Sequence, residues 1–105
     1  MKNVKLLERN KIHVEGRSHD VRLIDFTTPK GEIKKIKFTY ESYNAAEKFT
    51  TELFNGNEWK YISGMMDLGI RPNSDAYNIW DPKVREARAN ELYDKSILTI
   101  KNLFS

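Results

Sequence analysis

Cysteine is absent from the 105 residues, and disulfides, thiolate nucleophiles and thiolate metal sites go with it. A reducing compartment fits such a chain. Three prolines and five glycines are too few for a collagen-like, Pro-rich or Gly-rich segment. No apolar run approaches the roughly 18 residues that a membrane span needs. The opening stretch, Met1-Lys2-Asn3-Val4-Lys5-Leu6-Leu7-Glu8, is charged too soon after its apolar residues for a signal peptide, so a cytoplasmic location is expected. Histidine occurs twice, at His13 and His19, with no serine in a triad-like context and no second ligand at metal spacing.

What is present suits a small globule. Hydrophobic residues make up 39% and charged residues 31%, which argues against a disordered tail. The length fits one domain over 1–105, and no repeat or linker interrupts it. Eighteen Lys and Arg against fifteen Asp and Glu give a net charge of +3. The distribution is uneven: residues 1–40 carry a surplus of +5, residues 41–81 one of −4, and residues 82–105 one of +2. A molecule with one basic and one acidic side is expected.

Period-two alternation in the first third predicts three strands. Ile12 and Val14 alternate with Lys11 and His13. Gly16-Arg17-Ser18-His19 reads as a turn, and Thr28-Pro29-Lys30-Gly31 as a second one. Tight closure of both turns sets Val14 against Val21, Ile12 against Leu23, Leu23 against Ile36 and Val21 against Phe38. That makes one apolar face, with Asp25 across from Lys34. The remainder reads as helical. Ser42 or Asn44 caps a segment to about Phe54, with Ala46, Phe49 and Leu53 on one side and Asn55-Gly56 ending it. Asn57 caps a second helix to Leu68, for which an edge strand over Trp59 to Ile62 is the competing reading. Arg71 to Trp80 reads as loop, with Trp80 as the staple ahead of the last helix. Asp81-Pro82 is a strong start signal for a long C-terminal helix over about 82–104. The expected fold is α+β: a three-stranded antiparallel meander over about 10–40, with two or three helices packed on one face.

In that register the uncovered face carries Lys11, His13, Arg22, Lys35 and Lys37, with Ile24, Phe26 and Ile33 among them. Cations neutralise phosphates and a ring such as Phe26 offers a surface on which a base stacks, so this face is the expected contact for RNA or DNA. An ordinary solvated face is the alternative. A second expected surface lies in the acidic, aromatic stretch 41–81. There Glu47, Glu52 and Glu58, with Trp59 and Tyr61, suit a protein partner that has a basic groove.

Asp25, Glu32 and Lys34 follow a D-x6-E-x-K spacing similar to the PD-(D/E)xK nuclease pattern. That resemblance implies a minimal metal-dependent nuclease, against the simpler reading of a cross-strand ion pair. Ile62 to Trp80 loosely resembles a helix-turn-helix around Leu68-Gly69-Ile70, although Pro72 follows the turn and no Lys or Arg lies between Pro72 and Pro82. The composition, rich in Lys, Asn, Ile, Tyr and Phe, resembles that of small accessory proteins of A/T-rich bacteriophages or mobile elements. The expectation is a cytoplasmic, non-enzymatic binding protein without cofactor or metal. Its partner would be a nucleic acid or a nucleic-acid-handling complex, or, in the alternative, a host or defence enzyme that it inhibits.

Overall fold

A computed structural model shows five consecutive strands, β1 (Val4–Val14), β2 (Arg17–Thr27), β3 (Ile33–Tyr43), β4 (Ala46–Phe54) and β5 (Trp59–Gly64). A single 3-10 turn, Met66–Leu68, follows them, and then the helix α1 (Pro82–Leu103). The structure describes residues 3–43, 46–71 and 81–105. The strands lie in the order of the chain, each antiparallel to the next, in one five-stranded sheet. Among the described residues no helix is long and apolar enough to cross a membrane.

The expected three strands with two or three helices are thereby corrected, among the described residues, to five strands and one long helix. Residues 46–54 are extended, with Glu47, Phe49 and Thr51 buried in alternation. Asn55-Gly56 is no helix stop; it opens the tight turn of the β4–β5 hairpin, with Gly56 at φ 102°. The Asn55 side chain fixes that turn by accepting from the Asn57 and Glu58 backbone N–H groups at 3.0 and 2.9 Å. An Asx side chain closing a turn between β-branched and aromatic runs is a hairpin signal, and it outweighs the i, i+3 spacing of Ala46, Phe49 and Leu53. The competing edge-strand reading of residues 59–62 is the one that matches β5. The helix expected before the Leu68-Gly69 turn is absent, so the helix-turn-helix likeness has no first helix. Its second half, like the 71–80 loop and the Trp80 staple, falls mainly on residues 72–80, outside the described residues.

The register of the meander also departs from expectation, for a countable reason. The first turn is Glu15-Gly16, both at positive φ, as in the two-residue type I′ turn, and it pairs Val14 with Arg17. The second turn holds three residues between Thr28 and Glu32. Gly31 N–H donates to the Thr28 carbonyl at 2.9 Å, and Gly31 takes the left-handed conformation that a three-residue hairpin loop needs. That odd count pairs Ile24 with Ile36 and Arg22 with Phe38, where tight closure had put Leu23 and Val21. A one-residue difference reverses the faces of β2 relative to β3.

The core follows from that register. Ile24, Phe26, Ile36, Phe38, Tyr40 and Phe49 point from the sheet toward Ala89, Leu92, Ile97 and Ile100 of α1, with Met65 and Ile70 closing one side. Phe38 meets the Tyr93 ring edge-on at 4.9 Å, and Phe26 meets Phe104 at 6.0 Å. Asp81 caps α1 by accepting from the Lys83 N–H at 2.8 Å, with Pro82 at the first helical position, where its missing N–H costs nothing.

Candidate interaction surface

One helix covers one face of a five-stranded sheet, and the way it docks decides which side chains remain for other work. The C-terminal half of α1 packs on apolar residues, and Thr51 and Ser96 share a buried hydrogen bond at 2.7 Å there. The N-terminal half docks through charges. Arg88 donates to both carboxylate oxygens of Glu47, at 3.0 and 2.8 Å, and further to Glu91 and to the Arg71 carbonyl. Tyr40 donates its hydroxyl to Glu47 at 2.8 Å, and burial, with that hydrogen bond second, pushes its phenol well above the usual range. Beside this, Arg9 bridges Asp20 at 2.7 Å and Glu86 at 2.8 Å, while Arg22 donates to Asn90 at 2.6 Å and stacks on Tyr93.

Glu86 carries a testable consequence. Hydrogen bonds from Lys11 first and Arg9 second lower its carboxyl from 4.5 to about 2. A carboxyl depressed by folding adds stability that is fully present above its unfolded value and is lost as pH falls through its folded value. Urea unfolding midpoints should therefore drop between pH 4.5 and about 2, and Glu86→Gln should flatten that part of the profile. An unchanged profile in the variant would mean that these ion pairs contribute nothing to docking.

The opposite face has no element over it among the described residues. Its cross-strand rows follow from the register: Asn10, Val21, Thr39 and Thr50 form one, and Glu8, Leu23, Lys37, Glu52 and Tyr61 the next. Trp59 lies opposite Phe54 at the β5 edge, their ring centres 5.2 Å apart. Lys37 places its ammonium 4.5 Å from the centre of the Trp59 ring and 3.8 Å from Glu52. A hollow of about 130 Å³ opens between Glu8, Asn10, Val21, Leu23, Lys37 and Trp59. Lys35 pairs with Asp25 at 3.4 Å, and His19 lies 3.7 Å from Glu41. Lys35 and Lys37 are thus matched by carboxylates across strands, Arg17 lies over the Tyr43 ring, and further aromatic rings stand at the β5 edge.

The residues expected on a single basic face divide between two. Lys35 and Lys37 are on the uncovered face. Lys11 and His13 lie on the helix side of β1, where Lys11 pairs with Glu86 at 2.8 Å and His13 hydrogen-bonds Ser18. Arg22 and Phe26 lie beneath α1, Phe26 only 1% exposed, so neither meets solvent as expected. In the acidic stretch, Glu47 is interior, bound to Arg88, whereas Glu52, Trp59 and Tyr61 share the uncovered face and Glu58 sits at the exposed β4–β5 turn. The Asp25, Glu32, Lys34 spacing does not converge: Asp25 faces outward with Lys35, while Lys34 lies on the helix side, 5.8 Å from the Phe104 ring. Among the described residues no group of three or more His, Asp or Glu is placed to hold a metal ion. Sequence reasoning put Val21 and Leu23 in the core and so missed them as surface. The odd residue count of the Thr28–Glu32 turn is the signal that would have found them. No family model, no curated protein and no solved structure matches the chain.

Proposed function

We propose that this chain is a non-enzymatic binding protein that acts by stoichiometric contact with another protein, and that the contact surface is the uncovered sheet face around Trp59. One observation carries the reading: Trp59, Phe54 and Tyr61 share the β5 edge of the uncovered face, on which Lys35 and Lys37 are matched by carboxylates. Aromatic anchors in a charge-balanced surround suit a protein partner, since interface hot spots are enriched in Trp and Tyr and depleted of unmatched charge. A nucleic acid needs unmatched cations, because phosphate neutralisation supplies most of its affinity. Of the six residues expected to meet nucleic acid, Lys11, Lys35 and Lys37 pair with carboxylates, and Arg22 and Phe26 are buried. The partner is a protein surface that inserts an apolar side chain between Leu23 and Trp59 and sets mixed-sign charges against Glu8, Lys37 and Glu52. The proposal places the protein in the cytoplasm, where a chain without disulfides is at no disadvantage.

Photo-crosslinking tests this by position. A crosslinking side chain at Tyr61 should capture a discrete protein from lysate, and one at Leu98, exposed on α1, should not. Trp59→Ala should lower that capture at least about tenfold, as loss of an anchor does. Equal capture from Leu98 would refute the reading. So would single- or double-stranded nucleic acid probes that bind through Lys35 and Lys37 while no protein is captured.

A further inference from the structure

The two edges of the sheet are guarded very differently. β5 is six residues long and its pairing with β4 is broken by a bulge, which leaves few regular positions for strand addition. β1 is eleven residues long and exposed along nearly its whole length. It holds four large exposed apolar side chains, Leu6, Leu7, Ile12 and Val14. A bulge falls between Leu6 and Glu8, so the regular part of the edge is Glu8 to Val14. The two-residue turn makes Val14 and Arg17 a hydrogen-bonded pair, and such pairs alternate along the ladder. The backbone groups of Glu8, Asn10 and Ile12 therefore point at β2. Those of Arg9, Lys11 and His13 point away from the sheet, and no described strand lies beyond them.

We propose that this edge pairs with β1 of a second copy of the chain, giving an antiparallel two-fold dimer with a ten-stranded sheet. The argument for a second copy is closure. Pairing β1 with β1 uses up the unguarded edge of both copies and leaves two guarded β5 edges, whereas pairing β1 with β5 would propagate without end. Charge selects the register. Centring the two-fold on Asn10 sets Arg9 against Lys11, and centring it on Lys11 sets that residue against itself; both place like charges opposite one another. Centring it on Ile12 sets Ile12 against Ile12, Asn10 against Val14, Lys11 against His13 and Arg9 against Glu15. That arrangement covers Ile12 and Val14, which are 57% and 59% exposed in one copy, and puts opposite charges at its ends. Trp59 itself, on β5, lies away from the pairing edge, while Asn10, which lines the hollow beside it, enters the interface.

Sedimentation should show a dimer at concentrations on the order of 100 µM. Ile12→Lys, which brings two cations together on the axis, should raise the dimer Kd at least about tenfold. His13→Pro should do the same while preserving its own ladder, because the N–H it removes points outward. Circular dichroism would check that both variants fold. Because the protein has no cysteine, Ile12→Cys gives a single thiol facing its own copy, at a spacing a disulfide spans in a non-hydrogen-bonded pair. It should cross-link under mild oxidation, and Ile33→Cys, exposed at the opposite end of the sheet, should not. A wild-type monomer throughout, variants that dimerise unchanged, or equal cross-linking at both positions would each overturn the proposal.

Discussion

Replacing Arg88 with alanine should destabilise the fold by about 3–5 kcal/mol, the usual cost of leaving a buried charge without its partner. The Arg88 side chain is 3% exposed and that of Glu47 is 0% exposed, so water reaches neither. Removing the guanidinium takes away both short hydrogen bonds to Glu47 and the tie to the Arg71 carbonyl, which lies beyond the Met66–Leu68 turn. A total stability of about 5–15 kcal/mol makes that loss a large fraction of the whole. The pair contributes less than its deletion suggests, because its formation already carried the desolvation of two ions. Hence the triple change Arg88→Met, Glu47→Leu and Tyr40→Phe, which removes the three mutually bonded polar side chains together, should regain part of the lost stability. Denaturant unfolding of the single and triple variants gives both numbers. An Arg88→Ala protein as stable as wild type would mean that α1 does not depend on this contact.

Arg88 and Glu47 also mark where sequence reasoning reached its limit. Forty-one residues separate them, and no local pattern connects them. Glu47 read as surface acid because it stands in an acidic stretch, and nothing in the sequence singled out Arg88. The strand β4 that turns Glu47 inward was itself obscured, since Ala46, Phe49 and Leu53 satisfy helical spacing as well as they satisfy extended packing. What settles the matter physically is Asn55, whose side chain closes the following turn and leaves the segment before it nowhere to go but along β3. The C-terminal helix, by contrast, was legible because Asp81-Pro82 acts locally: the carboxylate meets the Lys83 N–H whatever the rest of the chain does. The second turn of the meander was legible in place and not in residue count, whereas the first falls at Glu15-Gly16, and Arg17 to His19, expected within it, already belong to β2. Since side chains alternate with period two, that count decided which half of β2 reached the core.

The same count decided the candidate site. Val21 and Leu23 compete with Ile24 and Phe26 for the interior of β2, because the run Val21 to Phe26 is apolar on both faces apart from Arg22 and Asp25. Choosing Val21 and Leu23 as core brought Arg22 and Phe26 to the surface and assembled a basic face with a ring on it. The observed register buries Arg22 instead, where Asn90, Asp20 and the Tyr93 ring satisfy it. It also releases Leu23 to line the hollow beside Trp59. A buried arginine is compatible with an apolar core only when hydrogen bonds and an aromatic face replace its water, and here both are supplied.

Phe26→Ala and Leu23→Ala should therefore separate the two registers by a wide margin. Phe26 is 1% exposed, packed in the core and facing Phe104 at the far end of α1. Its truncation removes the transfer energy of a whole ring and leaves a cavity that a sheet and a helix cannot close, at a cost of about 3–5 kcal/mol. Leu23 is half-buried on the uncovered face, among polar neighbours that can shift into the space, so its truncation should cost no more than about 1 kcal/mol. In the register that tight turns imply, the order reverses: Leu23 becomes core and Phe26 an exposed platform for a base. Urea unfolding of the two variants tells the registers apart without any knowledge of the partner. A Phe26→Ala protein of wild-type stability beside a crippled Leu23→Ala protein would put the basic face back on the outside. The opposite order leaves the Trp59 face, with Leu23 at its centre, as the surface on which binding is to be sought. There Leu23→Ala should weaken capture of the partner while leaving the fold intact, because the side chain lines the hollow and is not part of the core.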